Sequence, residues 1–343
     1  MNLNEEKYAK FGLVKDMMAA VDIVKKFNCD QAIAIAGAIK KARRLMLTGE
    51  GSSRIFPAKN VMCLAAQKGW KLHLATAAAR QSMEYNLKDW AVFAASNSGK
   101  TSEVIKLFQQ LSAAGHQQRY ALTANATTQL EALSNQGYVL ACGPESAVAA
   151  TKSVIAQALF YQALIEHAVG KPRMQKQVEK LSAQVHQALT LSIDPALVAR
   201  IASAPTIYFS GRNDGVAEEL TLKTNEITRR KSDFMEGTYA VHGVEEVMDA
   251  GDVVIIIDPY PDYEAKFQEV LASKIGLTII SIADHDTSFP TIRIPRSQLP
   301  AYVQMAAGWN LLVEVGVKLH VDLDHPVRAR KVGNEFVTVL APQ

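Results

Sequence analysis

Cysteine is scarce in this chain. Cys29, Cys63 and Cys142 stand far apart with no C-x-x-C pair, which argues against a cysteine metal site and leaves three reduced thiols, as expected in the cytoplasm. No apolar run approaches the roughly 18 residues that span a bilayer. The start, MNLNEEKYAKFG, is acidic and polar where a secretory signal would be basic and then apolar, so a soluble protein without a membrane partner is expected. Blocks of like charge are missing as well: 37 basic and 34 acidic residues are interspersed to a net +3, which supplies no field of the kind nucleic acid requires. A small anionic substrate remains compatible with that balance.

What is present is alternation. With 343 residues the chain exceeds one ordinary core. After about 40 residues of helical pattern, short apolar runs alternate with amphipathic ones: RLMLTG from Arg44, KLHLAT from Lys71, WAVFAA from Trp90, RYALTA from Arg119 and GYVLAC from Gly137. Strands of this length separated by helices predict a parallel sheet covered on both faces. A long helix from Val148 to Gly170 and a polar helical stretch then interrupt the pattern, and a second set begins: TIYFSG from Thr206, DVVIIID from Asp252, LTIISIA from Leu277 and TIRIP from Thr291. Helical runs are expected at Val216 to Arg229, Tyr263 to Ser273 and Gln298 to His320. Both LMLTGEGSSRIFPAKNVM and IYFSGRNDGVAEELTLKT read as strand, glycine turn, helix, so the chain is expected to repeat one α/β architecture. The expected fold is two tandem doubly wound, flavodoxin-like parallel sheets with helices on both faces. The expected boundaries are a helical segment at 1–40, a first domain at 41–170, a helical connector at 171–204 and a second domain at 205–343.

Three stretches of the first half can present free N–H groups and hydroxyls to one anion: GEGSSR at Gly49–Arg54, SNSGKT at Ser96–Thr101 and ESAVAATKS at Glu145–Ser153. A strand that gives way to small hydroxylated residues and then a helix is what a phosphate oxygen needs, although plain N-capping yields the same residue types. In the second half, Glu226 ends a predicted helix and His242 lies in a loop before Gly243, a carboxylate and an imidazole suited to proton transfer. Glu236 and Glu245 flank His242, and Arg229, Arg230 and Lys231 follow Glu226, where a helix C-terminus favours cations.

In these motifs the chain resembles the double sugar-isomerase (SIS) domain proteins. The resemblance implies a Ser-x-Ser-Gly-x-Thr phosphate loop at Ser96, Ser98, Gly99 and Thr101, with Asn97 where glutamine is usual and Lys100 where an acidic or polar residue is usual. It also implies phosphate contacts from Ser52 and Ser53 and substrate contacts from Gly51, Val148, Ala149 and Ala150, the last three in the V-A-x-T-K helix start. Glu226 matches the family's base between carbons 1 and 2, and His242 its ring-opening group, which comes from the neighbouring subunit and so implies a homodimer. DLDHPVRARK resembles the tail that brings a lysine over the sugar, here Lys331.

The expected ligand is therefore a hexose 6-phosphate, and the expected chemistry a proton shuttle that needs no metal or redox cofactor. An enediol or enaminol formed with Glu226 as base serves isomerase, deaminase and deglycase alike. ESAVAATKS most resembles members acting on amine-bearing sugar phosphates, and no amidotransferase domain is expected to feed a synthase. A deglycase of a hexose 6-phosphate amine adduct, glucoselysine-6-phosphate type, is the first expectation, ahead of a glucosamine-6-phosphate deaminase and an aldose-ketose isomerase. A sugar-phosphate sensor is the non-enzymatic alternative, but it has no need of Glu226 and His242.

Overall fold

The structure, a computed structural model, describes residues 1–337. The chain divides into two compact units. One comprises Phe27–Pro144, Ser153–Lys176 and the tail from Arg330; the other comprises Met1–Lys26, Glu145–Lys152 and Gln177–Ala329.

The first unit is built on a five-stranded, all-parallel sheet: β1 Arg44–Gly49, β2 His73–Ala78, β3 Ala91–Ala95, β4 Arg119–Thr123 and β5 Gln136–Val139, in the order β2-β1-β3-β4-β5. These are the five apolar runs of the sequence. β3 and β4 are buried along their whole length, as strands covered by helices on both faces must be. Phe93 on β3 sits in an aromatic cluster with Tyr120, Tyr138, Phe160 and Tyr161, ring centroids 5.5–6.0 Å away. The parallel register sets Thr48 of β1 beside Ala94 of β3. The turn after β1 and the loop after β3 therefore leave the sheet at one edge, the carboxyl end where doubly wound folds bind ligands.

The second unit repeats the order with β6 Thr206–Gly211, β7 Lys231–Glu236, β8 Val253–Ile257, β9 Thr278–Ala283 and β10 Thr291–Arg293, arranged β10-β9-β8-β6-β7. The tandem doubly wound α/β fold expected from the sequence is what the structure has. The helix Pro300–Lys318 runs through this unit with Trp309 and Asn310 fully buried. The Asn310 amide is satisfied by the Ala188 and Leu191 carbonyls and by the N-terminal ammonium of Met1. Among the described residues no helix is long and apolar enough to cross a membrane.

Four details differ from the sequence reading: the helix expected at Val148–Gly170 runs only over Lys152–Ala168, and the one expected at Tyr263–Ser273 is α-helical over Glu264–Phe267 and then π-helical over Gln268–Ile275. β7 was not among the predicted strands: KSDFME is an edge strand with Met235 as its one buried residue, so it lacks an apolar run. The helix expected at Val216–Arg229 is α-helical only over Val216–Lys223, then widens into a π-turn at Thr224–Thr228 and ends at Arg229 in a left-handed conformation, φ +62°. Glu226 lies within that π-turn.

Candidate functional site

The loop after β3 is closed by its own hydroxyls. Ser96 Oγ lies 2.9 Å from Thr101 Oγ1, the Gly99 N–H donates to Ser96 O and Oγ at 3.0 and 3.1 Å, and the Lys100 N–H donates to Ser98 Oγ at 3.2 Å. Gly99 has φ +66°, and a Cβ there would come within 2.4 Å of Thr128, so glycine is required both for the backbone conformation and for space. The N–H groups of Asn97, Ser98 and Thr101 find no partner among the described residues. The buried Oδ1 of Asn97 is unpaired too. Three backbone donors and two hydroxyls around the start of the helix Ser102–Ala113 form a nest for an anion.

The glycine turn is held against this loop. A Cβ on Gly49 would meet Ala95 O at 2.7 Å, which is how closely β1 and β3 end together. Gly51, φ +52°, opens the single 3-10 turn Gly51–Ser53 in which Ser52 is buried and Ser53 Oγ lies 3.5 Å from Gln157 Nε2. Glu50 points inward and accepts the Ala79 N–H at 2.9 Å. Burial pushes its carboxyl above the usual range, against those backbone donors. The first unit thus gathers Gly51, Ser52, Ser53, Ser96, Asn97, Ser98 and Thr101 at one sheet edge.

The tail reaches the same loop. Thr101 bridges antiparallel to Glu335, with the Ser102 N–H donating to Asn334 O and the Phe336 N–H to Lys100 O, both at 2.9 Å. Thr101 and Glu335 are the non-hydrogen-bonded pair of this bridge, so the N–H of Thr101 itself points away from the tail. Lys100 pairs with Glu335 at 3.1 Å, and Asn334 Nδ2 donates to Glu103 Oε1 at 2.7 Å. Phe336 packs against the hydrophobic cluster under the sheet. The unusual lysine of the loop is thus an anchor for the tail. Lys331 is exposed three residues before Asn334.

In the second unit the stretch Glu145–Lys152 is pinned by carboxylates that the sequence did not single out. Asp16, 2% exposed, accepts the Ser146 N–H and pairs with Lys152 at 2.8 Å. Asp324 of the DLDHP motif accepts the N–H groups of Gly12 and Leu13 at the start of the helix Gly12–Lys25, and its carbonyl takes the Val148 N–H at 3.1 Å. Glu145 takes the Thr151 N–H at 2.9 Å. The donors of Ser146, Val148 and Thr151, expected to face an anion, are engaged within the unit. Ala149 is buried and Ala150 half-buried in this stretch.

Glu226 is paired with a lysine that sequence reasoning missed. Lys223 Nζ lies 2.6 Å from Glu226 Oε2 and 3.4 Å from Glu219 Oε1; Lys223 and Glu219 have no exposed side-chain surface, and Glu226 is 23% exposed. Burial alone would lower the lysine pKa; the Glu226 and Glu219 carboxylates outweigh it and hold it above the ordinary value. Lys223 is therefore a fixed cation behind a carboxylate that reaches solvent. The i, i+3 spacing was the available signal, but a surface pair has the same spacing. His242 is exposed after the 3-10 turn Tyr239–Val241, and Glu245 accepts the Gly243 N–H beside it. No hydrogen bond or ion pair joins Glu226 and His242 among the described residues. Glu236 ends β7, exposed.

Two groups have metal-ligand proximity, Asp258 with Asp284 and His285, and Asp322 with Asp324 and His325. In the first, Arg212 already neutralises Asp258 at 2.7 Å and stacks on Tyr260. In the second, Asp324 is committed to backbone donors.

Residues 38–167 match the family model of the SIS domain. No curated protein sequence matches the chain. Among solved structures, the C-terminal domain of glucosamine-fructose-6-phosphate aminotransferase from Francisella tularensis is similar, with TM-score 0.76 and 17% identity over 94% of this chain and all of that one. Glucosamine-6-phosphate deaminase from Thermotoga maritima (TM-score 0.71, 16% identity) and tagatose-6-phosphate ketose/aldose isomerase from Escherichia coli (0.72, 16%) each align over 95% of this chain and 99% of their own. Residues 38–167 thus match the SIS domain on the first sheet, and the second sheet repeats the same strand order.

Proposed function

We propose that this protein is an enzyme of hexose 6-phosphates that cleaves the carbon–nitrogen bond of an amine adduct. The observation that carries the reading is the loop Ser96–Thr101, whose three unpartnered N–H groups and adjacent hydroxyls suit a phosphate dianion. Similarity to a deaminase, an isomerase and an aminotransferase domain, all of sugar 6-phosphates by name, supports the substrate class.

In this reading His242, supplied by a second copy in a homodimer, assists ring opening. Glu226, its carboxylate held by Lys223, removes the proton from the carbon next to the carbonyl or imine. The electron pair moves into a carbon–carbon double bond, giving an enaminol, and the proton returns one carbon away. That leaves nitrogen in a carbon–nitrogen double bond. Water adds to it, the amine departs with its proton, and a hexose 6-phosphate remains. No redox step occurs. The buried lysine fits this chemistry, since its ion pair fixes the direction of the carboxylate while one face stays open.

The test is a turnover panel of glucoselysine 6-phosphate, fructoselysine 6-phosphate, glucosamine 6-phosphate and fructose 6-phosphate. Release of a free amino acid faster than ammonia is expected. Interconversion of fructose 6-phosphate and glucose 6-phosphate with no amine release would make the protein an isomerase and overturn the deglycase reading.

A further inference from the structure

At the end of the first sheet opposite the phosphate loop, within the same unit, lies a second cleft of about 480 Å³. Small-molecule sites have this size. Its lining holds Lys40, Arg43, Lys71 and Lys171 together with Trp70 and Leu72, and no carboxylate. Arg43 precedes β1, and the glycine turn follows that strand's last residue, Gly49, so the length of one strand, about 17 Å, separates this cleft from the anion nest.

Three helices end here: Ile33–Ala42, Ile55–Gln67 and Lys152–Ala168. Cations beside helix C-termini ordinarily serve the terminal carbonyls. In this cleft backbone donors already do so: the Arg43 N–H reaches Ile39 O at 3.0 Å, the Trp70 N–H Ala65 O at 3.0 Å and the Lys171 N–H Glu166 O at 2.8 Å. Among the described residues none of the four cationic side chains makes a hydrogen bond or an ion pair. The Glu166 carboxylate is turned inward onto the N–H groups of Arg173 and Met174, at 2.7 and 2.8 Å. A second observation concerns Arg43 itself. The backbone turns left-handed after each helix, at Gly69 (φ +61°) and Gly170 (φ +70°) after two of them and at Arg43 (φ +58°) after the third. Glycine takes this conformation without strain, so an arginine held in it points to a use for the guanidinium.

Four like charges gathered on one wall repel one another, and a polyanion relieves that repulsion. Trp70, half-buried, adds an indole on which a planar ring can stack. We infer that this cleft binds a nucleoside di- or triphosphate, its base against Trp70 and its phosphates on Lys40, Arg43, Lys71 and Lys171. A sugar monophosphate has one dianion and no aromatic ring, and would leave most of this wall empty. The inference is independent of the reaction carried out beside the phosphate loop.

Calorimetry on the full chain tests it with ATP, UTP and tripolyphosphate, the last carrying the charge without the ring. ATP is expected to bind about tenfold or more tightly than tripolyphosphate, because stacking on an aromatic side chain adds to the charge contacts. Lys71→Glu combined with Lys171→Glu is expected to weaken all three ligands about tenfold or more. Trp70→Leu is expected to bring both nucleotides down to tripolyphosphate while tripolyphosphate itself binds as before, which also shows that the variant is folded. Ser98→Ala with Thr101→Ala, in the anion nest, is expected to leave ATP affinity at the wild-type value. Tripolyphosphate bound as tightly as both nucleotides would reduce the cleft to a patch of charge and overturn the inference. ATP affinity lost in the nest variant but kept in the cleft variants would move the nucleotide to the nest and overturn it equally, as would no binding of either nucleotide.

Discussion

Replacing Lys223 by methionine tests how the structure holds Glu226. The side chain keeps its length but loses its charge, leaving two carboxylates that had shared one cation. Their situations differ. Glu226 is 23% exposed and can turn its carboxylate to water, whereas Glu219, with no exposed surface, cannot. The cost therefore falls on Glu219, and breaking a buried pair from one side typically destabilises by about 3–5 kcal/mol. Removing the stranded charge should restore much of this: Lys223→Met with Glu219→Gln is expected to be about 2 kcal/mol more stable than Lys223→Met alone. Urea unfolding followed by Trp309 fluorescence reads this unit, because Trp309 is fully buried in the helix Pro300–Lys318. Trp70 and Trp90 belong to the other unit and would be replaced by phenylalanine in the background protein. A loss below about 1 kcal/mol for Lys223→Met, or no recovery with Glu219→Gln, would mean that the triad is not held as a charged network.

Two further outcomes follow from the geometry. Gly99→Ala must shift a loop in which the new Cβ would stand 2.4 Å from Thr128 at φ +66°; a cost of about 1–3 kcal/mol is expected, with weakened calorimetric binding of inorganic phosphate, and unchanged phosphate binding would place the anion elsewhere. Asp214 is a pH-sensitive group: burial pushes its carboxyl up to about 6, against the Val216 N–H and Arg212. The folded state therefore holds a proton that the unfolded state has lost between about pH 4 and 6, and this group's contribution to stability falls as pH rises through that window. Relative to wild type, Asp214→Asn is expected to gain up to about 2–3 kcal/mol above pH 6 and nothing below pH 4 in urea titrations; a difference flat in pH would contradict the assignment.

The fold was legible where burial leaves a mark on composition. Strands covered on both faces must be apolar throughout, so WAVFAA and DVVIIID announce β3 and β8, and the glycine turns announce the sheet edge where ligands bind. β7 was invisible because an edge strand needs few apolar residues, and KSDFME has its charges facing out. The loop Ser96–Thr101 was legible from its hydroxyls and glycine. The tail that bridges it was not, because a pairing between Thr101 and Glu335 has no local signature, and Lys100 looked merely out of place. Buried charges were the other blind spot. Asp16, Asp324, Lys223 and Glu219 read as surface residues in a sequence, since only three-dimensional packing decides whether a charge is pinned to backbone donors or left in water.

In the proposed mechanism Glu226 carries a proton between neighbouring carbons of a hexose 6-phosphate. Solvent deuterium exchange reads that step directly, whatever the leaving group. Wild-type protein in deuterated water is expected to introduce label at carbon 1 or carbon 2 of recovered sugar phosphate. Glu226→Gln, which keeps shape and polarity but accepts no proton, is expected to lower the rate of exchange by about 10² to 10⁴ while sugar-phosphate binding stays nearly intact. A Glu226→Gln protein that exchanges label at the wild-type rate would remove Glu226 from the mechanism and contradict the account.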